Sequence, residues 1–427
     1  MIYNFNGVKR MNKVILHSDL NNFYASVECL YNPKIRRFPV AVCGDIELRH
    51  GIVLAKNQIA KVCGVKTGMT VGDAKLKCPE LITVEPHMAL YNKFSRWARE
   101  IYEEYADNIE SFGQDEEWLD VTNLARNGYD GELIADEIRT KIKETLGITC
   151  SIGVSFNRIF SKLASDLRKP DATTVISRDN YKDIVWKLSA DNLIGVSRGT
   201  MKIFSVMGIQ TIGDIAKTPV YLLEGMLGKV GGYLHKAANG EGYTHVRHKD
   251  YIEPPKSIGN IETTPRDMKT VDDVRRVIYT LSENVTARLR EQHYKCKTVK
   301  VYIRENDLKS CDRQGKLETP SYITNNIADR AMEIFNSQYK FNKPLRSIGV
   351  RACGLVSDDI AIQNSFFDDT ERDEKREKVA KMVDTLRSMY GYNVIQRGVV
   401  LEDRKLTNIP NDYNRSSYRI GSSFCQA

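Results

Sequence analysis

The stretch 111-SFGQDEEWLD-120 decides how this chain is read, because it sets four carboxylates within six residues and wedges a tryptophan among them. Asp115, Glu116, Glu117 and Asp120 repel one another at that spacing, so a folded chain keeps them together only if something neutralises the charge. Magnesium does so in many proteins: it takes oxygen ligands, keeps waters, and is held by a few carboxylates together with substrate phosphates. Two such ions roughly 3.5–4 Å apart stabilise both the attacking and the leaving oxygen of a phosphoryl displacement. A further acid must then arrive from another strand. Residues 13-KVILHSD-19 supply one, since their apolar run reads as a buried strand with Asp19 at or just past its end. EWLDVT reads as a second strand. Asp19, Asp115 and Glu116 meet if the two strands are neighbours in one sheet. Successive strand residues point to opposite faces, so Asp115 and Glu116 serve one site only near a turn, which Gly113 permits. Charge spacing alone favours the plainer reading, that these are ordinary loop acids.

Around this stretch the chain runs to 427 residues, too long for one core, and suggests about three domains. Its 41% hydrophobic and 28% charged content fits a soluble globular protein. No apolar run approaches the roughly 20 residues of a membrane span, and no membrane association is expected. The N-terminus shows no secretory pattern, and either Met1 or Met11 is the expected start. The nine cysteines form no C-x-x-C pair, which argues against a zinc site or a disulfide framework and for a cytoplasmic location. A net charge of +8 is compatible with a polyanionic partner without requiring one.

Further signals are local. NNFYASVECLY has the helical spacing of Phe23, Val27 and Leu30, and PVAVCG and GIVLA read as strands. Leu90 to Glu110 carries an aromatic stripe at helical spacing, read as core packing. GELIADEIRTKIKETLG is an amphipathic helix with Gly147 as its stop, followed by the strand ITCSIGVS. From about 180 to 245 short helices alternate with glycines. HVRHKDYIEPPKS reads as a linker. A long amphipathic helix, the alternating strand TVKVYIR, a second helix and the strand SIGVRACGL then suggest a compact α+β module over 256–357. The charge run TERDEKREK reads as a solvated helix.

SDLNNFYASVE, then QDEEWLDVT, then SIGVSFNRIFSKLASDLRKP resembles the Y-family translesion DNA polymerases, closest to the bacterial DNA polymerase IV group, from about Met11 to about Leu355. The resemblance implies an α+β right-hand polymerase. Its palm would be residues 13–29 and 86–178, its small fingers 30–85 and its helical thumb 179–246. A linker at 247–255 leads to a C-terminal little finger at 256–357 and a tail at 358–427. It implies two Mg²⁺ ions held by Asp19, Asp115, Glu116 and the carbonyl of Leu20, with Glu117 and Asp120 structural. Next to Phe23, Tyr24 falls on the position of a steric gate that clashes with a ribose 2′-hydroxyl, which implies preference for dNTP. The triphosphate grip of the family falls on Gln58 and Lys61, a departure from its Tyr and Arg, and Ala55 replaces a common Thr. Lys56 is a candidate substitute, and Lys162 matches a triphosphate-contacting lysine.

LIGVSRGTMKIFSVMGIQTIGDIA resembles a helix-hairpin-helix whose turn, Gly195 to Thr200, would hold a DNA phosphate. Lys297, Lys300, Arg304, Arg346 and Arg351 lie on strands of the C-terminal module, where cations could track a DNA backbone without reading sequence. QNSFFDD resembles a sliding-clamp motif, with Gln363, Phe366 and Phe367 as its contacts. The expected protein is thus a monomeric, low-fidelity polymerase that binds primer-template DNA and dNTP and extends primers past damaged bases. The alternatives are a subunit working mainly within an SOS mutasome, a catalytically weak DNA-binding relative, and a palm-type nucleotide cyclase.

Overall fold

The computed structural model describes residues 13–47, 49, 51–126, 130–360 and 370–407. The described residues divide into two compact units, one of 13–43 and 53–252, the other of 44–52 and 253–407.

The strands of the first unit are β1 (Ile15–Leu20), β2 (Val40–Cys43), β3 (Val53–Lys56), β4 (Ile82–Val84), β5 (Ile109–Ser111), β6 (Glu116–Asp120), β7 (Cys150–Ser155) and β8 (Thr173–Ile176). Five of them form a sheet in the order β5-β6-β1-β7-β8, and three a small sheet in the order β3-β2-β4. Every residue of β1 is buried, as its central place requires. Leu16 and Leu20 face a core with Phe94, Ala98, Ile101, Ile134, Ile138 and Ile142, from helices Met88–Tyr102 and Gly131–Leu146. Ile15, His17 and Asp19 alternate onto the opposite face. Asp19 lies inside this strand, one residue before its end.

The aromatic stripe beginning at Leu90 is core, as its spacing predicts, but the helix stops at Tyr102 rather than running to Glu110. Ile109 to Ser111 instead pair with β6, Ile109 opposite Leu119. Strand pairing there buries Ile109 and Glu110, which a continued helix would have left without the ladder. Residues 181–238 are short helices around Phe160, Leu193, Phe204, Ile212, Ile215, Leu223 and Leu234.

The second unit holds β9 (Ser257–Met268), β10 (Tyr294–Glu305), β11 (Ser310–Ser321) and β12 (Leu345–Ser357), antiparallel in the order β11-β10-β12-β9. Helices Val271–Glu291 and Thr324–Gln338 cover one face, meeting Val299, Val301, Ile303, Ile348 and Val350 with Val277, Leu281, Ile327 and Phe335. The charge run TERDEKREK opens helix Thr370–Tyr390, and residues 372–378 are exposed or half-buried; the burial lies further along the helix. Its Arg387 is buried and donates to Glu283 at 3.1 Å, while Tyr392 and Arg397 donate to the same carboxylate at 2.7 and 2.9 Å. Leu406 enters the core of this unit. The described residues from 370 to 407 therefore pack with the second unit.

Candidate active site

The β1–β6 ladder pairs His17 with Trp118, Ser18 with Glu117 and Asp19 with Glu116. Residues directly opposed on antiparallel strands put their side chains on one face, so Asp19 and Glu116 share a side of the sheet. One step further the Leu20 N–H donates to the Asp115 carbonyl at 3.0 Å. Gly113, at φ +111°, makes the turn that the sequence requires just before the acids. Asp19 and Asp115, with Leu20 beside them, line a cleft whose other walls include Phe23, Tyr24, Lys56, Thr67 and Lys169.

Two lysines answer the acids. Lys169 donates to Asp19 at 2.5 Å, and Lys162 donates to Glu116. Lys162 comes from helix Arg158–Leu167, which lies hard against the sheet because Gly153 on β7 has no side chain. A Cβ there would fall 1.9 Å from the Ser161 carbonyl oxygen. The same helix brings Ser165 within 2.8 Å of His17 Nδ1, while His17 Nε2 lies 3.4 Å from Glu116. Sequence reasoning singled out Lys162 but passed over Lys169 and His17. A lysine at a helix end before Pro170 and a histidine inside an apolar run carry no pattern that marks them.

Electrostatics follow from burial. Burial pushes the Asp19 carboxyl up to about 7, with Lys169 opposing and Glu116 reinforcing the rise. Burial and then Glu116 push Asp115 up to about 6. Burial acts upward on Glu116 as well, but His17 and the Lys162 ammonium outweigh it and hold this carboxyl below its usual range. Burial takes the His17 ring down to about 4, leaving it neutral at pH 7.

The neighbouring acids have other work. Glu117 points to the opposite face, accepting from Ser111 at 2.8 Å and from Arg99 at 3.2 Å. Asp120 accepts from Lys13 at 2.6 Å and from the Thr122 N–H at 3.1 Å. Among the described residues no group of three or more His, Cys, Asp or Glu side chains is arranged to hold a metal ion. The donor set nonetheless suits a hard cation: oxygen ligands only, in a cleft where burial makes unneutralised carboxylates costly.

Tyr24 sits at the cleft, its ring stacked on Tyr91 at 4.1 Å and its hydroxyl donating to the Gln114 side chain. Gln58 and Lys61 lie on the short helix Gln58–Val62, both exposed and outside the residues that line the cleft. Lys56 lines it, donating to Thr67 Oγ1 at 3.1 Å. Burial and then the charge of Lys61 lower the Lys56 pKa, so the two ammonium groups are close enough to feel each other.

In the segment expected to hold a phosphate, a single 3₁₀ turn, Ala190–Asn192, precedes Gly195 (φ +93°) and helix Arg198–Val206. Ser197 caps that helix by accepting from the Thr200 N–H at 3.1 Å. In the second unit, Val299, Val301 and Ile303 turn toward the helices, which leaves Lys300 and Arg304 on the other face of β10. Arg351 stands directly opposite Lys300 on β12, and the Asp312 carboxylate lies 2.8 Å from Lys300. Lys297 and Arg346 sit at breaks of register, between Cys296 and Thr298 and between Leu345 and Ser347. Gln363, Phe366 and Phe367 lie outside the described residues.

Known proteins resemble the chain along most of its length. The impB/mucB/samB family matches residues 18–166, and the C-terminal domain of that family matches 255–366. A DNA polymerase IV of Acetivibrio thermocellus is 48% identical over 399 residues, 93% of this chain and 100% of the relative. A DNA polymerase IV of Clostridium acetobutylicum is 34% identical, covering 92% and 99% of the two chains. DNA polymerase IV 1 of Bacillus subtilis is 31% identical, covering 95% and 98%. Among solved structures, a Y-family DNA polymerase chimera of Dbh and Dpo4 superposes with a TM-score of 0.70 at 25% identity, over 81% of this chain and 99% of the other.

Proposed function

Since the chain belongs to the impB/mucB/samB family of Y-family polymerases and is a DNA-directed DNA polymerase, we propose that it performs translesion synthesis by metal-assisted nucleotidyl transfer at the cleft lined by Asp19 and Asp115, with Glu116 opposite Asp19 in the sheet. The observation that carries this reading is the register of β1 and β6, which sets Asp19 opposite Glu116 with Asp115 one step beyond.

Asp19, Asp115 and Glu116, with the Leu20 carbonyl, would hold two Mg²⁺ ions. Bound there, the ions would supply the charge stabilisation that an attacking 3′-hydroxyl and a departing pyrophosphate both need. The rest of the work falls to side chains of this protein. Lys169 and Lys56 line the same cleft and offer ammonium groups to the triphosphate. Lys162, Gln58 and Lys61 would be further contacts. Tyr24, packed against Tyr91 and Phe23, would occupy the space of a ribose 2′-hydroxyl. Catalysis then comes mainly from positioning and from charge placed before the reaction.

On this reading residues 13–29 and 86–178 are the palm, 30–85 the fingers, 179–246 the thumb and 256–357 the little finger. The turn from Gly195 to Thr200 would hold a backbone phosphate. Lys297, Lys300, Arg304, Arg346 and Arg351 would track the duplex. Lys300 and Arg351 stand opposite each other on the face of the sheet turned from the helices, with Asp312 beside Lys300, and cations on that face support this role. Gln363, Phe366 and Phe367 would dock on a sliding clamp.

Primer extension by the purified chain with Mg²⁺ and dNTP, on one template intact and one carrying an abasic site, tests the reading. Extension past the lesion is the expected result. A chain that extends neither template, or stops at the lesion while copying the intact strand, would overturn it.

A further inference from the structure

The gate reading assigns Tyr24 a steric task but leaves open what keeps its ring in place. A tyrosine side chain turns about two bonds, and an excluded volume discriminates only if it stays put. Stacking on Tyr91 restrains the face of the ring, yet stacked rings slide at little cost, because the offset arrangements differ little in energy. The tip needs its own restraint.

Gln114 supplies one. Its side-chain oxygen accepts from the Tyr24 hydroxyl, and its amide nitrogen donates to Asn92 Oδ1 at 2.6 Å. Both ends of the amide are engaged, so it cannot turn away without breaking two bonds. Asn92 is itself buried on helix Met88–Tyr102. Burial and then the Asp115 charge raise the Tyr24 pKa, which keeps the hydroxyl protonated and able to donate. Tyr91 is tied in turn, its hydroxyl donating at 2.5 Å to Glu28, which His87 Nδ1 also meets at 2.8 Å. The ring of Tyr24 is thus held on its face by one anchored tyrosine and at its tip by one anchored amide.

We propose that Gln114 is a positioning residue for sugar discrimination: it locks the Tyr24 ring in the place where a ribose 2′-hydroxyl would fall. The proposal rests on the gate reading of Tyr24 and extends it to a residue that does not touch the nucleotide. Gln114 directly precedes Asp115, so one turn sets both a carboxylate and the tip of the gate.

The test is a double-mutant cycle read as the ratio of kcat/KM for dCTP to that for rCTP opposite a template guanine. The ratio cancels any defect common to both nucleotides, including a disturbed Asp115. Gln114→Met removes the acceptor with little change of size, and Tyr24→Phe removes the donor while leaving the ring. Each single change should lower the ratio about three- to tenfold, the worth of one hydrogen bond. The double variant should fall no further than either single, because the two changes break the same bond. If Gln114→Met fails to fold, Tyr24→Phe still breaks that bond from the other side. Ratios unchanged within about twofold in both singles, or effects that multiply in the double, would overturn the proposal. Tyr24→Ala separates the two layers. Should it admit rCTP while the single variants do not, only the role of Gln114 is lost. Should it leave rCTP excluded, the gate itself lies elsewhere and both readings fall.

Discussion

Asp19 and Glu116 stand opposite each other in the β1–β6 ladder, yet each carboxylate is turned onto a different lysine, Lys169 for the first and Lys162 for the second. Each of the two acids thus has a cation of its own.

Asp115→Ala and Glu116→Ala should each lower primer extension by about two to three orders of magnitude or more, while binding of primer-template DNA stays near the parent level. Glu117→Gln should stay within a few-fold of the parent, since Glu117 faces Arg99 and Ser111 on the other side of the sheet. Parallel extension and gel-shift assays on the three variants decide which of these adjacent acids works.

The metal-free protein should lose stability as pH rises. Asp19 and Asp115 have folded pKa values of about 7 and about 6, above their ordinary 3.8. Between about pH 4 and 7 the folded state then binds more protons than the unfolded state, so the stabilisation is full at the acid end and lost toward pH 7. The melting temperature without metal should drop by several degrees from pH 5.5 to pH 8, on the order of a few kcal/mol. Mg²⁺ should restore it at pH 8, and Asp115→Asn should flatten the slope. Thermal melts at fixed ionic strength across that range would show a flat or rising profile if these carboxyls titrate normally.

Gly153→Ala should destabilise by about 1–3 kcal/mol or more, because the new methyl would meet the Ser161 carbonyl at 1.9 Å and the Ser165 nitrogen at 2.4 Å. Helix Arg158–Leu167 must back away, taking Lys162 from Glu116 and Ser165 from His17. A lower urea midpoint together with slowed extension is expected, and a parent-like midpoint would mean that the helix has room.

Lys300→Ala and Arg351→Ala should weaken binding to primer-template DNA equally across sequences. Each should reduce the slope of log affinity against log salt by about one. Fluorescence anisotropy titrations at several salt concentrations measure it. An unchanged slope would remove that residue from the DNA-facing surface.

The sequence by itself determined much of the local structure. The apolar run before Asp19 read as a buried strand and the aromatic stripe from Tyr91 as a core helix, whereas the spacing of the acids alone favoured ordinary loop residues and only the family resemblance singled out Asp19, Asp115 and Glu116. Strand and helix depend on a few neighbouring residues and on backbone geometry, which local patterns encode. Tertiary structure decided the partners: Lys169 on Asp19, His17 beside Glu116, Gln114 at the tip of Tyr24, Arg387 under Glu283. Each joins residues distant in the chain through strand register or helix docking. No period in the sequence specifies which distant side chain fills a given gap, because that is set by how whole surfaces close together.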